Sequence, residues 1–69
     1  MPFVSVKLLK GRSQQQKREL AVAITDAMER ICGAPRAGTM VTFDEYDKGD
    51  WAVAGQLVAD RDASPQPTT

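Results

Sequence analysis

Residues 3–9, FVSVKLL, alternate two-fold along the chain: Val4, Val6 and Leu8 fall on one side, Phe3, Ser5, Lys7 and Leu9 on the other. That period predicts a strand. A turn at Lys10-Gly11-Arg12 follows, and the period then changes. Between Ser13 and Cys32 the apolar residues Leu20, Ile24, Ala27 and Ile31 recur at helical spacing, flanked by Ala23 and Met28. Arg18, Glu19, Asp26, Glu29 and Arg30 lie mostly opposite, so the segment reads as an amphipathic helix. Ser13 with Gln16 three residues later has the form of a capping box. Gly33 suits the position just past the helix end, and Pro35 stops continuation.

A second strand is predicted over about 39–46, where Val41 and Phe43 alternate with Met40, Thr42 and Asp44. Asp47-Lys48-Gly49-Asp50 reads as a turn, and WAVAGQLVA as a short hairpin or irregular strand that can bend at Gly55. From Asp60 the sequence DRDASPQPTT is polar, carries prolines and has no period. It is predicted to be a disordered tail. The domain organisation is therefore one folded unit over 2–59 and a polar tail over 60–69.

Strand, long helix, strand and hairpin make an α/β fold: a βαβ unit with a C-terminal β-hairpin. The two strands should be parallel and joined by a right-handed crossover. One helix covers one face of the sheet. The other face still carries apolar side chains, and two strands are too few to be stable alone. A chain of 69 residues buries only ~60% of its unfolded surface. Its single cysteine, Cys32, cannot form an internal disulfide, and without histidine there is no zinc site. Self-association is the remaining source of stability.

Nine basic and nine acidic residues balance to zero, so neither nucleic acid nor an anionic membrane is an expected partner. The apolar runs are too short to span a bilayer. No secretory signal pattern is present, and the expected location is cytoplasmic.

Candidate chemistry is sparse. Without histidine, no Ser–His or Cys–His pair exists within one chain. Cys32, near the predicted helix end, reads as a packing residue. Asp44, Glu45, Asp47 and Asp50 cluster, but acids around a turn usually form a solvated rim. Arg12, at the helix start, is either a surface arginine or an anion-binding group, favoured by the backbone N–H groups there and by its own fork of donors. Trp51 is the only tryptophan, and serves either as a subunit-interface anchor or as a pocket wall. Pro2 precedes the first strand; it is either a tolerated strand-start proline or a reactive N-terminal amine.

Taken together, Pro2, Gly11-Arg12-Ser13, Gln16-Lys17, Ala34-Pro35 and the stretch from Lys48-Gly49 through Trp51 to Gly55 resemble the 4-oxalocrotonate tautomerase family. The likeness runs without a gap over about residues 2–58 and is concentrated in PFVSVKLLKGRSQQQK and DKGDWAVAG. It implies loss of the start methionine and use of the Pro2 amine as the catalyst. It also implies assembly as a homohexamer, with no cofactor and no metal. Position by position, Arg12 matches a residue that binds a substrate carboxylate, and Trp51 an aromatic pocket wall. The sequence departs from the pattern at Met40, where the family's diacid tautomerases carry a second arginine that polarises the substrate's carbonyl end. Arg36 lies before the strand and does not take over that role.

The activity implied is tautomerisation of enol or dienol forms of 2-oxo acids. The proline amine can act as a base only when neutral. An ordinary α-amino group has a pKa of about 7.7–8.0. Burial beside Trp51 and a nearby Arg12 would lower the value for Pro2 and poise it near neutrality. Missing one electrophilic donor typically costs ~10²–10³ in rate. Monoacid enols, such as phenylenolpyruvate or 2-hydroxypenta-2,4-dienoate, should therefore suffer less than diacids. Related proline-dependent proteins hydrate, dehalogenate or decarboxylate small acids, with a carboxylate to activate water; Glu45 or Asp50 would be candidates. A non-catalytic subunit or binding protein of the same fold is the third alternative.

Overall fold

The computed structural model describes residues 2–63. β1 (Phe3–Leu9) and β2 (Met40–Tyr46) pair in parallel, in register from Phe3↔Met40 to Leu9↔Tyr46. α1 (Gln14–Cys32) makes the crossover between them. β3 (Ala52–Val53) and β4 (Gln56–Leu57) form an antiparallel hairpin, and α2 (Val58–Ala63) follows. The architecture is the predicted βαβ unit with a C-terminal hairpin, extended by one short helix.

The local signals act as expected at both ends of α1. The Gln16 N–H donates to Ser13 Oγ at 3.1 Å, while the Ser13 N–H donates to Gln16 Oε1 at 2.8 Å. Two otherwise orphaned helix donors are thereby satisfied. At the other end the Gly33 N–H donates to the Glu29 carbonyl at 3.0 Å, and the Ala34 N–H to that of Met28 at 3.3 Å. A single 3-10 turn, Arg36–Gly38, carries the chain into β2.

One face of the sheet carries Val4, Val6 and Leu8 from β1 beside Val41, Phe43 and Glu45 from β2. All six are half-buried, and α1 covers them. The helix is rotated relative to the predicted stripe. Its half-buried positions include Lys17, Ala21, Ile24, Ala27 and Met28, whereas Leu20 and Ile31 are 37% and 69% exposed. Lys17 Nζ donates to Glu45 Oε1 at 2.8 Å, with both side chains largely shielded. This part-buried pair belongs to the helix–sheet contact and keeps Lys17, rather than Leu20, over β2. Cys32 is exposed, contrary to the packing role expected of it.

The predicted boundary at residue 60 also moves. Val58–Ala63 is helical, and its start is tied down by the Val58 N–H, which donates to the Trp51 carbonyl at 2.8 Å. Val58 and Ala59 supply half-buried anchors. Six residues are too few to display a period among the charges of DRD. Residues 64–69 of the predicted tail lie outside the described residues.

The second sheet face is open. Phe3 (60% exposed) and Met40 (44%) stand side by side on it, followed by Ser5, Lys7, Thr42 and Asp44. Among the described residues none is buried. A single chain therefore folds into a thin layer without a closed core.

Candidate active site

The end of β1 builds one side of a cleft. The Lys10 N–H donates to the Tyr46 carbonyl at 2.9 Å and extends the β1–β2 pairing by one residue. Gly11, at φ +131°, then turns the chain in a conformation that side chains rarely adopt. Arg12 follows, immediately before the Ser13 cap. Trp51 comes from the other side, in the connection between β2 and β3. Its ring meets Tyr46 edge-on, with centroids 5.7 Å apart and planes at 72°, a favourable aromatic geometry.

Arg12 and Trp51 share a cleft of about 520 Å³, whose remaining walls are Lys7, Leu8, Leu9, Val53, Val58 and Arg61. Both residues singled out in the sequence as substrate-binding candidates thus line one cleft. Lys7 is drawn toward β2: its Nζ donates to Asp44 Oδ2 and to the Tyr46 hydroxyl, each at 3.3 Å. These hydrogen bonds, to Tyr46 first and then to Asp44, raise the Lys7 pKa above its ordinary value. Arg12 has no hydrogen bond or ion pair among the described residues, so its donors remain available to a ligand.

Pro2 is elsewhere. It lies at the opposite end of β1, where its carbonyl accepts from the Met40 N–H at 3.0 Å. The seven residues of β1, at a rise of about 3.3 Å each, separate it from Gly11-Arg12 by roughly 20 Å. Trp51, beyond the Tyr46 end of β2, is on the Arg12 side. Within one chain, therefore, in-register pairing holds Trp51 and Arg12 at the far end of the strand from Pro2. Met1, whose loss the family resemblance implies, lies outside the described residues.

Two other candidates are also placed. Glu45 faces α1 and is engaged by Lys17, away from the cleft. Arg36 is bonded to Asp26 and Glu29 of α1, and both interactions raise its pKa, that with Asp26 more strongly. It is held against the helix and does not stand in for an arginine at Met40. Sequence reasoning missed Lys7, which its strand position disguised, and Arg61, which lay in a run read as disordered. Among the described residues no group of three or more metal-ligating side chains converges.

A family model described as tautomerase enzyme matches residues 2–61. The chain belongs to the tautomerase family. The 2-hydroxymuconate tautomerase of Bacillus subtilis is 40% identical to it over 60 residues, covering 87% of this chain and 97% of that one. Among solved structures, TomN, a 4-oxalocrotonate tautomerase homologue in the tomaymycin biosynthetic pathway, superimposes with a TM-score of 0.89 at 38% identity. That match covers 94% of this tautomerase-family chain and all of TomN. A heterohexameric 4-oxalocrotonate tautomerase from Chloroflexus aurantiacus gives a TM-score of 0.83 at 32% identity, over 87% of this chain and 97% of its own. The family identifies the chain as an isomerase-type enzyme with a small-molecule substrate. No helix among the described residues is long and apolar enough to cross a membrane.

Proposed function

We propose that this protein is a cofactor-independent tautomerase that converts enol or dienol forms of 2-oxo acids to the keto forms, using the free amine of Pro2 as general base. The proline nitrogen takes the proton of the 2-hydroxyl. The oxygen's electron pair closes the carbonyl, the C=C electrons move outward, and the distal carbon receives the proton back from the prolinium. Atoms and charge balance without a co-reactant. Arg12 holds a carboxylate, and Trp51 with Leu8, Leu9 and Val53 lines the remainder of the cleft.

The observation that carries this reading is an unpaired Arg12 beside Trp51 in an open cleft of a tautomerase-family chain. Because Pro2 of the same chain is roughly 20 Å away, the proline serving each cleft must come from a second copy. The open sheet face, with Phe3 and Met40, and the exposed Leu20, Val22 and Ile31 provide the apolar surface for such an assembly. A homohexamer in the cytoplasm is the proposed state. In the assembly, Trp51 and Arg12 of one copy would act on the amine of another, disfavouring the ammonium form and lowering its pKa.

The test is a tautomerase assay on a panel of enols, with the intact mass of the same preparation. Active material should have lost Met1, and kcat/KM should rise with pH to a plateau as the amine becomes neutral. Full activity in a preparation that keeps Met1 quantitatively contradicts the proposal, because Pro2 would then be an amide.

A further inference from the structure

A second, smaller cleft of about 270 Å³ adjoins the one that holds Arg12. Its walls are Lys7, Tyr46, Asp50, Trp51 and Ala52. Lys7 and Trp51 line both clefts, so the indole ring and the lysine side chain form the wall they share. Where that ring stands sets how far a ligand in the first cleft can extend.

The backbone of Trp51 is fixed, because its carbonyl accepts from the Val58 N–H at 2.8 Å. That bond does not fix the ring, since the outer torsion of a tryptophan side chain is broad. The ring instead meets Tyr46 edge-on, with centroids 5.7 Å apart. Tyr46 is held in turn. Lys7, Asp44 and Tyr46 project from one face of the β1–β2 pair, where Lys7 lies opposite Asp44 and Leu9 opposite Tyr46. Lys7 Nζ donates to the Tyr46 hydroxyl at 3.3 Å and stands 5.7 Å from the centre of its ring. It also donates to Asp44 Oδ2 at 3.3 Å, and the Ser5 hydroxyl donates to the same oxygen at 3.3 Å. A line of contacts thus runs from the middle of the sheet to Trp51. Of its members, only Lys7 and Trp51 line the cleft that holds Arg12.

We propose that Tyr46 is a positioning residue that determines substrate size: braced by Lys7, it holds the Trp51 ring as a partition that confines the substrate to the first cleft. Tyr46 acts through Trp51 and touches no reacting atom. The proposal rests on the reading of the Arg12–Trp51 cleft as the substrate site. With the partition in place, narrow linear acids are preferred. With it loosened, the two clefts join, and a bulky group beyond the acid gains room.

The experiment uses the full chain and its Tyr46→Leu and Tyr46→Phe variants, each checked for native circular dichroism and sedimentation. Acrylamide quenching of Trp51, the sole tryptophan, reads the ring directly. Calorimetry then measures the binding of two acids that have no enol, linear sorbate and aromatic cinnamate. Loss of an aromatic pair is worth roughly three- to tenfold in an equilibrium. Tyr46→Leu should therefore increase quenching and shift the ratio of cinnamate to sorbate affinity toward cinnamate by a factor in that range. Tyr46→Phe keeps the ring and loses only the hydroxyl's bond to Lys7, so it should shift both readings in the same direction by a smaller amount. With enol substrates, the same shift should separate phenylenolpyruvate from 2-hydroxypenta-2,4-dienoate, in KM rather than kcat. Unchanged quenching in either variant, or an equal change in affinity for both acids, overturns the proposal. Shifts in quenching and affinity in a protein that turns over no enol support the partition while contradicting the tautomerase reading.

Discussion

The backbone N–H of Met40 donates to the Pro2 carbonyl across 3.0 Å, so the two residues stand at the same end of the β1–β2 pair. Met40, the position at which the family resemblance implies an arginine in diacid tautomerases, is therefore adjacent to the proposed base, yet neutral. An oxyanion donor in a dry site is worth about 2.7–4 kcal/mol. Met40→Arg should raise kcat/KM on a diacid dienol about tenfold, less than the full value because the neighbouring residues are not arranged to orient the new side chain. A monoacid enol should gain little. Steady-state kinetics on one substrate of each kind checks this; equal gains on both, or none on the diacid, count against the placement.

Arg12→Ala tests the other end of the site. Charged hydrogen bonds contribute about 1.5–3 kcal/mol, so KM for every acid substrate should rise by roughly 10–100-fold. The fold should be unaffected, since Arg12 is exposed and makes no hydrogen bond or ion pair among the described residues. An unchanged KM would remove Arg12 from the binding role.

Assembly should be sensitive to the apolar positions that one chain leaves uncovered. Leu20 and Ile31 lie along the edge of the half-buried strip of α1 and remain exposed. A charge placed in such an interface is left buried without a partner. Leu20→Asp should shift sedimentation from a hexamer to smaller species and lower the thermal midpoint. A wild-type protein that sediments as a stable, folded monomer at micromolar concentration contradicts this account of its stability.

Much of this was legible in the sequence where a local rule operates alone. The Ser13–Gln16 capping box and the strand period of residues 3–9 depend on chemistry close by in the chain, and the parallel crossover follows from the strand–helix–strand order. The rotation of α1 was not legible, because the Lys17–Glu45 pair joins residues 28 apart and overrides the best apolar stripe. α2 was hidden for a different reason: a hydrogen bond from Val58 to Trp51 anchors it, and its charged sequence carries no apolar period. Arg12 and Trp51, singled out separately in the sequence, line one cleft in the fold. Their distance from Pro2 follows from the length of β1 alone, but becomes decisive only once the register is fixed.

The hairpin offers a stability prediction. Ala54 and Gly55 both have positive φ, +54° and +81°, the requirement of a type I′ turn, in which Asn-Gly is preferred. Alanine is strained in that position, whereas asparagine tolerates it. Ala54→Asn should stabilise the protein by about 0.5–1 kcal/mol and raise its urea midpoint. A lower midpoint would mean that the turn is not strained.

The most direct test of a site shared between copies is complementation. Pro2→Ala and Arg12→Ala chains are each expected to be nearly inactive on an acid enol. Unfolded together and refolded, or co-expressed, they form mixed assemblies. If one copy supplies Pro2 and another supplies Arg12, about a quarter of the sites in a random mixture contain both native residues. The quantity to measure is kcat/KM of the mixed sample against each variant refolded alone. Recovery toward a quarter of the wild-type value is the predicted result, and activity no greater than the average of the two variants would contradict it.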